Sequence, residues 1–212
     1  MERNHITKVE FTFTEPLLGS LSGNSELMED FITSKAPPEN EAEEIEAISS
    51  IPETLQKATT FLARDKDGTP MLWDYQVKGF FKAAAEALIN SGQVTEAELK
   101  RARLTRWTYK KTIDQQLFIT PRRIRLQLPK DGKVIFFSRP LRAMTMHGER
   151  IALARSEQAP EGTKFICEII VLNSTLQKYI KGFLDYAGLC GFGQWRNSGM
   201  GRVSWKEIKD RQ

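Results

Sequence analysis

The sequence predicts an α+β protein, on three observations. A strand-like segment opens the chain, two clearly amphipathic helices lie at about 72–90 and 174–187, and short strand-like runs fill the space between and after them. Ile6 to Thr14 (ITKVEFTFT) carries Ile6, Val9, Phe11 and Phe13 as its apolar set, and Glu15-Pro16 ends it. LLGSLSGNS reads as a loop. Ser25 is placed to cap a short helix running through Phe31 and Ile32, with Glu26, Glu29 and Asp30 near its positive end and Pro37-Pro38 stopping it. The acidic run ENEAEEIEAISSIPE is either a linker or a short exposed helix. Phe61–Arg64 reads as a strand and Asp65-Lys66-Asp67-Gly68 as a turn.

Leu72 to Asn90 is the clearest helix. Trp73, Val77, Phe80, Phe81, Ala84 and Leu88 form one stripe, Asp74 is the expected N-cap, and Ser91-Gly92 is the stop. A second helix is expected over about Thr95–Lys111. Strands follow at Leu117–Thr120, Arg123–Leu128, Val134–Ser138 and Arg150–Arg155. Lys164–Leu172 is a long strand whose apolar content predicts burial on both faces. Asn173-Ser174 caps the helix carrying Leu176, Ile180, Phe183, Leu184 and Ala187, and Arg202–Ile208 is the closing strand. With the segment at about 15–70 set aside as an insertion, the order is βαββαβ with extra β-hairpin elements. That is a ferredoxin-like, RRM-like core within one domain spanning 1–212. It leaves one sheet face free for a ligand.

Charge is distributed unevenly. Residues 1–57 hold twelve acids against four bases, whereas Lys100 to Arg155 holds fifteen bases against Asp114, Asp131 and Glu149. Most of those bases are Arg, the side chain suited to bidentate phosphate contacts and to stacking on bases. A solvated face explains a short charge run, but an excess of this size predicts a polyanionic partner held partly by counterion release. No apolar run approaches the ~20 residues of a membrane span. The N-terminus lacks the apolar core of a secretory signal. A cytoplasmic protein with two reduced, buried thiols, Cys167 and Cys190, is expected. No zinc-like spacing of His and Cys occurs, and no cofactor is implied.

The most specific motif is Gly191-Phe192-Gly193-Gln194-Trp195-Arg196-Asn197-Ser198-Gly199-Met200-Gly201-Arg202, with four glycines in eleven residues between a helix and a strand. Such a loop lets backbone amides approach an anion, with Arg196 and Arg202 adding charge and Trp195 offering a stacking surface. The competing reading is a structural turn with Trp195 in the core and Arg196 paired to Asp185.

The segment GFGQWRNSGMGRVSW resembles the C-terminal glycine-rich loop of the RAMP superfamily, the RNA-binding subunits of CRISPR effector complexes and their guide-processing relatives. Gly193, Arg196, Gly199, Gly201 and Arg202 occupy the matching positions, with Met200 where an aromatic is usual. WDYQVKGFFKAAAEAL is similar to that family's first-helix motif through Lys78 and Gly79, although Trp-Asp-Tyr-Gln replaces the usual Pro-Gly-Ser-Ser. The resemblance implies a ferredoxin-like protein that binds RNA backbone, as a homo-oligomer or as a subunit of a CRISPR-type complex. The sequence is also similar to small proteins carried by prophages.

The expected nucleic-acid contacts are Lys78, Arg106, Lys110, Lys111, Arg122, Arg123, Arg139, Arg142, Gly193, Trp195, Arg196, Gly199, Gly201 and Arg202. RNA and single-stranded DNA are not separated by the sequence. Two other functions remain open. One is a metal-independent endoribonuclease with His147, flanked by Arg142 and Arg150, as general base; His5, just before the first strand, is the other histidine. The second is a phage-encoded inhibitor or mimic that binds a host defence complex. The carboxylate pairs Glu29-Asp30 and Asp65-Asp67 read as helix-start and turn residues rather than metal ligands.

Overall fold

The computed structural model describes residues 4–22, 59–145 and 148–209, with 141–145 and 148–153 described by backbone alone. The expected helix at Ser25, the acidic segment at 39–53, the pair Glu29-Asp30 and His147 lie outside the described residues. The elements in chain order are β1 (His5–Phe13), β2 (Leu17–Leu18), β3 (Leu21–Ser22), β4 (Thr59–Phe61), β5 (Ala63–Arg64), β6 (Pro70–Trp73) and α1 (Asp74–Ser91). Next come α2 (Glu96–Arg101), α3 (Tyr109–Gln116), β7 (Leu117–Thr120), β8 (Arg123–Arg125), β9 (Ile135–Thr145) and β10 (Gly148–Ala159). The chain continues with β11 (Lys164–Val171), α4 (Ser174–Cys190) and β12 (Val203–Glu207). Among the described residues the result is a mixed α+β architecture with three sheets.

The principal sheet has the order β12-β1-β11-β7, antiparallel throughout. Alternation decides its faces. Val9, Phe11 and Phe13 of β1 point into the core with Phe165, Cys167, Ile169 and Val171 of β11, while Lys8, Glu10, Lys164 and Glu168 lie on the opposite face. This corrects the expectation that β11 is buried on both faces. Ile166 and Ile170 are only half-buried, because the helices cover one side of the sheet. On the covered side, α1 and α4 meet through Phe80 against Tyr186 and Phe81 against Phe183, with ring centroids at 6.3 Å in both pairs. Burial raises the Cys167 thiol to about 12, which leaves it protonated and inert. Cys190 is half-buried rather than buried.

Helix α1 is capped one residue earlier than expected. Trp73 occupies the N-cap and its N–H donates to Gln76 Oε1 at 2.8 Å, while Asp74 stands in the first turn and accepts from Tyr75 N–H. The single helix expected over Thr95–Lys111 is two helices. Thr95 and Glu98 form a capping box that starts α2. The helix then closes in a Schellman motif, with Leu104 N–H on Leu99 O at 2.9 Å and Arg103 N–H on Lys100 O at 3.1 Å. Arg103 takes the left-handed position (φ 55°) that glycine usually fills, and the fully buried Leu104 anchors the turn. Helical periodicity continues through this stop, so the break is invisible to a pattern search.

The short segments expected at Val134–Ser138 and Arg150–Arg155 belong to one long hairpin, β9–β10, joined to β2 and, in parallel, to β4. The run expected to be a loop between Pro16 and Ser25 contains β2 and β3. Glu157 of β10 is buried there, accepting from Leu62 N–H at 3.0 Å and pairing with Arg64. The third sheet, β5-β6-β8, carries the Asp65–Gly68 turn, where Thr69 N–H donates to Asp67 Oδ1 as expected of turn residues. Among the described residues, no helix is long and apolar enough to cross a membrane.

Candidate nucleic-acid interface

The glycine-rich loop leaves α4 at Gly191 and enters β12 at Val203. Phe192 is its anchor, buried among Phe11, Phe13, Phe80 and Phe165. Phe192 N–H donates to Gly201 O at 2.8 Å, and Gly201 N–H to Pro16 O at 2.9 Å. A Cβ on Gly201 would collide with the Phe192 backbone, and one on Gly193 would sit 2.5 Å from Leu18 O. Both residues also have positive φ. The chain therefore needs these two glycines for its own backbone contacts, before any ligand arrives. The amides of Gln194, Ser198 and Gly199 are likewise bonded to Leu18 O, Trp195 O and Arg196 O.

What the loop presents outward is side chain. Arg196, Asn197, Ser198 and Arg202 are exposed. Arg196 does not pair with Asp185, whose carboxylate instead accepts from Trp205 Nε1 at 3.0 Å; Arg196 Nη1 lies 3.6 Å from Cys190 Sγ. Trp195 is half-buried, between the two positions considered for it. Its indole lies 5.6 Å from the Phe137 ring, and the Arg139 guanidinium covers it at 4.3 Å. Partial burial holds the Arg139 pKa below its ordinary value. The base of the β9–β10 hairpin thus leans on the loop.

A groove of about 310 Å³ runs between this loop and the N-terminal half of α1. Gly193 and Arg196 line one side, Gly79 and Gln76 the other, and Ser20 closes the end by accepting from Gln76 Nε2 at 2.9 Å. Gly79 is exposed in mid-helix, and a Cβ there would meet nothing within 4 Å. An exposed mid-helix glycine is ~1 kcal/mol worse than alanine, and no neighbour in the fold requires it.

The remaining sequence-predicted residues are scattered. Lys78 sits over the Phe118 ring at 4.8 Å and donates to Asp114 O, with its pKa lowered by burial. Arg122 meets Asp74 at 3.4 Å and Arg123 meets Asp65 at 3.3 Å, both guanidinium groups lying near the Trp73 ring. Arg106, Lys110 and Lys111 are exposed around the α2–α3 connection. The side chain of Arg142 lies outside the described residues. The structure therefore brings together Arg139 with Gly193, Trp195, Arg196, Gly199, Gly201 and Arg202, and leaves Lys78, Arg106, Lys110, Lys111, Arg122 and Arg123 elsewhere. The sequence reading missed Gln76, Ser20 and Phe137 at this site. Only Phe137 had a signal, as an aromatic in a strand expected near the basic cluster. Among the described residues, no group of three His, Cys, Asp or Glu side chains is placed to hold a metal ion.

The sequence matches no protein-family model and none of the curated proteins. Solved structures do match in fold. A chain of the Type III-B Cmr-beta complex bound to cognate target RNA superposes with a TM-score of 0.52 at 13% identity, over 98% of this chain and 61% of that one. This chain thus spans less than two thirds of that neighbour's length. A chain of a Type IV-B CRISPR complex gives a TM-score of 0.50 at 11% identity, over 96% and 90% of the two chains. Cmr6 from Pyrococcus furiosus gives 0.48 at 10% identity, over 96% and 99%. The chain shares its fold with the first two of these CRISPR-complex chains.

Proposed function

We propose that the chain binds single-stranded nucleic acid, RNA in the first place, without cleaving it, as a subunit of a CRISPR-type ribonucleoprotein or as a homo-oligomer on RNA. The order β12-β1-β11-β7, with α1 before β7 and α4 before β12, supports a ferredoxin-like βαββαβ core. The fold shared with a chain of an RNA-bound complex supports the class of partner. The observation that carries the reading is the groove in which exposed Arg196 faces the bare helix surface at Gly79. A phosphate lying there meets a guanidinium on one side and can approach the α1 backbone on the other, where any larger residue would hold it off. Beside it, the Arg139–Trp195 pair offers a flat cationic surface.

The test is filter binding of a generic single-stranded RNA across a salt series. The expected log–log slope is about −0.7 for each phosphate contact, and the RNA is recovered intact in the absence of metal. Copurification with nuclease-sensitive nucleic acid is expected as well. Failure to bind at low salt refutes the reading.

A further inference from the structure

The α2–α3 connection carries a feature that neither the groove nor the fold uses. Trp107 is 91% exposed. Arg106 and Lys110 line a groove with it, and Arg101, Arg103 and Lys111 lie within six residues of it in sequence; all five are exposed. Among the described residues these five cations form no ion pair; Arg106 reaches only Asn90 Oδ1 at 3.4 Å, and Lys110 lies over the Tyr109 ring. The segment is firmly held. Thr108 and Thr112 hydroxyls both donate to Arg103 O at 2.8 Å, the Thr105 and Thr108 hydroxyls are 2.7 Å apart, and Ala102 and Leu104 are fully buried. A turn held in this way therefore places a large aromatic ring in water beside cations that form no ion pair among the described residues. Removing an indole from the core forfeits burial energy, and no intramolecular contact here compensates for it.

We infer that this turn is a second nucleic-acid contact, in which Trp107 stacks on an unpaired base while Arg106 and Lys110 hold the adjoining phosphates. The inference rests on the proposed function and extends it to a new place. The two sites share α1. Gly79 and Ala83 line the first groove; Glu86 and Asn90 line a second, of about 390 Å³, with Arg106, Trp107 and Lys110. These four α1 positions are spaced i, i+4, i+7 and i+11, one face of a helix. At 1.5 Å per residue the two ends lie about 16 Å apart. A single strand laid along that face reaches both. Glu86 is the one acid lining the second groove, beside Arg106 and Lys110.

The experiment uses the full chain and an oligouridine of roughly 20 nucleotides, longer than a single compact site. Trp107→Ala is expected to weaken binding about tenfold, the scale of one lost base–aromatic stack, and to abolish part of the tryptophan quench seen on RNA addition. Its melting temperature should match the wild type, since the ring touches little. The double variant Arg106→Ala/Lys110→Ala should flatten the salt slope by about 0.7 for each lost contact. If Arg196→Ala weakens binding while Trp107→Ala leaves affinity and quench unchanged, the second contact is refuted and the groove stands. If the wild-type protein binds no RNA at low salt, both fall.

Discussion

Two arginine-rich stretches look alike in the sequence and meet opposite fates in the fold. Arg122, Arg123 and Arg125 fold onto Asp74, Asp65 and Asp67, with Trp73 beneath the first two. Arg101, Arg103 and Arg106, with Lys110 and Lys111, stand in water and form no ion pair among the described residues. The counter-charges of the first group come from about fifty residues upstream, so they do not appear in a local count. A positive stretch marks a polyanion surface only after its intramolecular partners are subtracted, and here the subtraction moves the weight from 122–125 to 101–111 and to the glycine-rich loop.

The sharpest way to break this comparison is Asp65→Ala. Asp65 accepts from Arg125 Nε at 2.7 Å and from Lys66 N–H at 2.8 Å, and it also pairs with Arg123. Its loss should cost about 2 kcal/mol, the scale of charged hydrogen bonds, read as a lower melting temperature. RNA affinity per folded molecule should stay the same or rise, because two arginines are released. Arg196→Ala should do the reverse, weakening RNA binding by roughly 1–3 kcal/mol and moving stability by less than about 0.5 kcal/mol. A stability loss with unchanged affinity would restore the structural reading of the loop.

The effect of pH is smaller and has a definite sign. The Lys66 amide, then Arg125 and Arg123, hold the Asp65 carboxyl below its ordinary range, and Lys206 and Lys164 do the same for Glu10. Groups with lowered folded pKa values give stability that is present above the unfolded pKa and is lost as pH falls through the folded one. Melting temperature should therefore hold down to about pH 4 and decline below it. Asp74, raised chiefly by burial, acts with the opposite sign and at higher pH, above its unfolded value. Asp65→Asn should flatten the acid limb; an unchanged limb would show that the arginine clamp contributes little.

Much of this was legible in the sequence. The alternation of Val9, Phe11 and Phe13, the stripe from Val77 to Ala84 and the Asn173 cap each follow from local physics, and each is found in place. The loop residues Gly193, Trp195 and Arg196 were singled out by their pattern. What escaped was non-local. That Gly193 and Gly201 serve contacts with Leu18 and Phe192 depends on segments meeting across the fold. The length of the β9–β10 hairpin is set by pairing rather than propensity, and the Schellman turn at Arg103 hides inside a helical pattern. The exposure of Trp107 was invisible for the same reason, since a tryptophan in a helical run reads as core.

Gly79 tests the central claim most directly, because the two contributions to its role have opposite signs. Replacing it with Gln supplies a good helix former where a Cβ meets open space, so the melting temperature should rise, by the equivalent of about 0.5–1 kcal/mol. The same side chain occupies the groove beneath Arg196. The account predicts a more stable protein whose affinity for single-stranded RNA falls at least tenfold, about 1.4 kcal/mol, measured on the same preparation. A more stable protein that binds RNA as tightly as the wild type would contradict it.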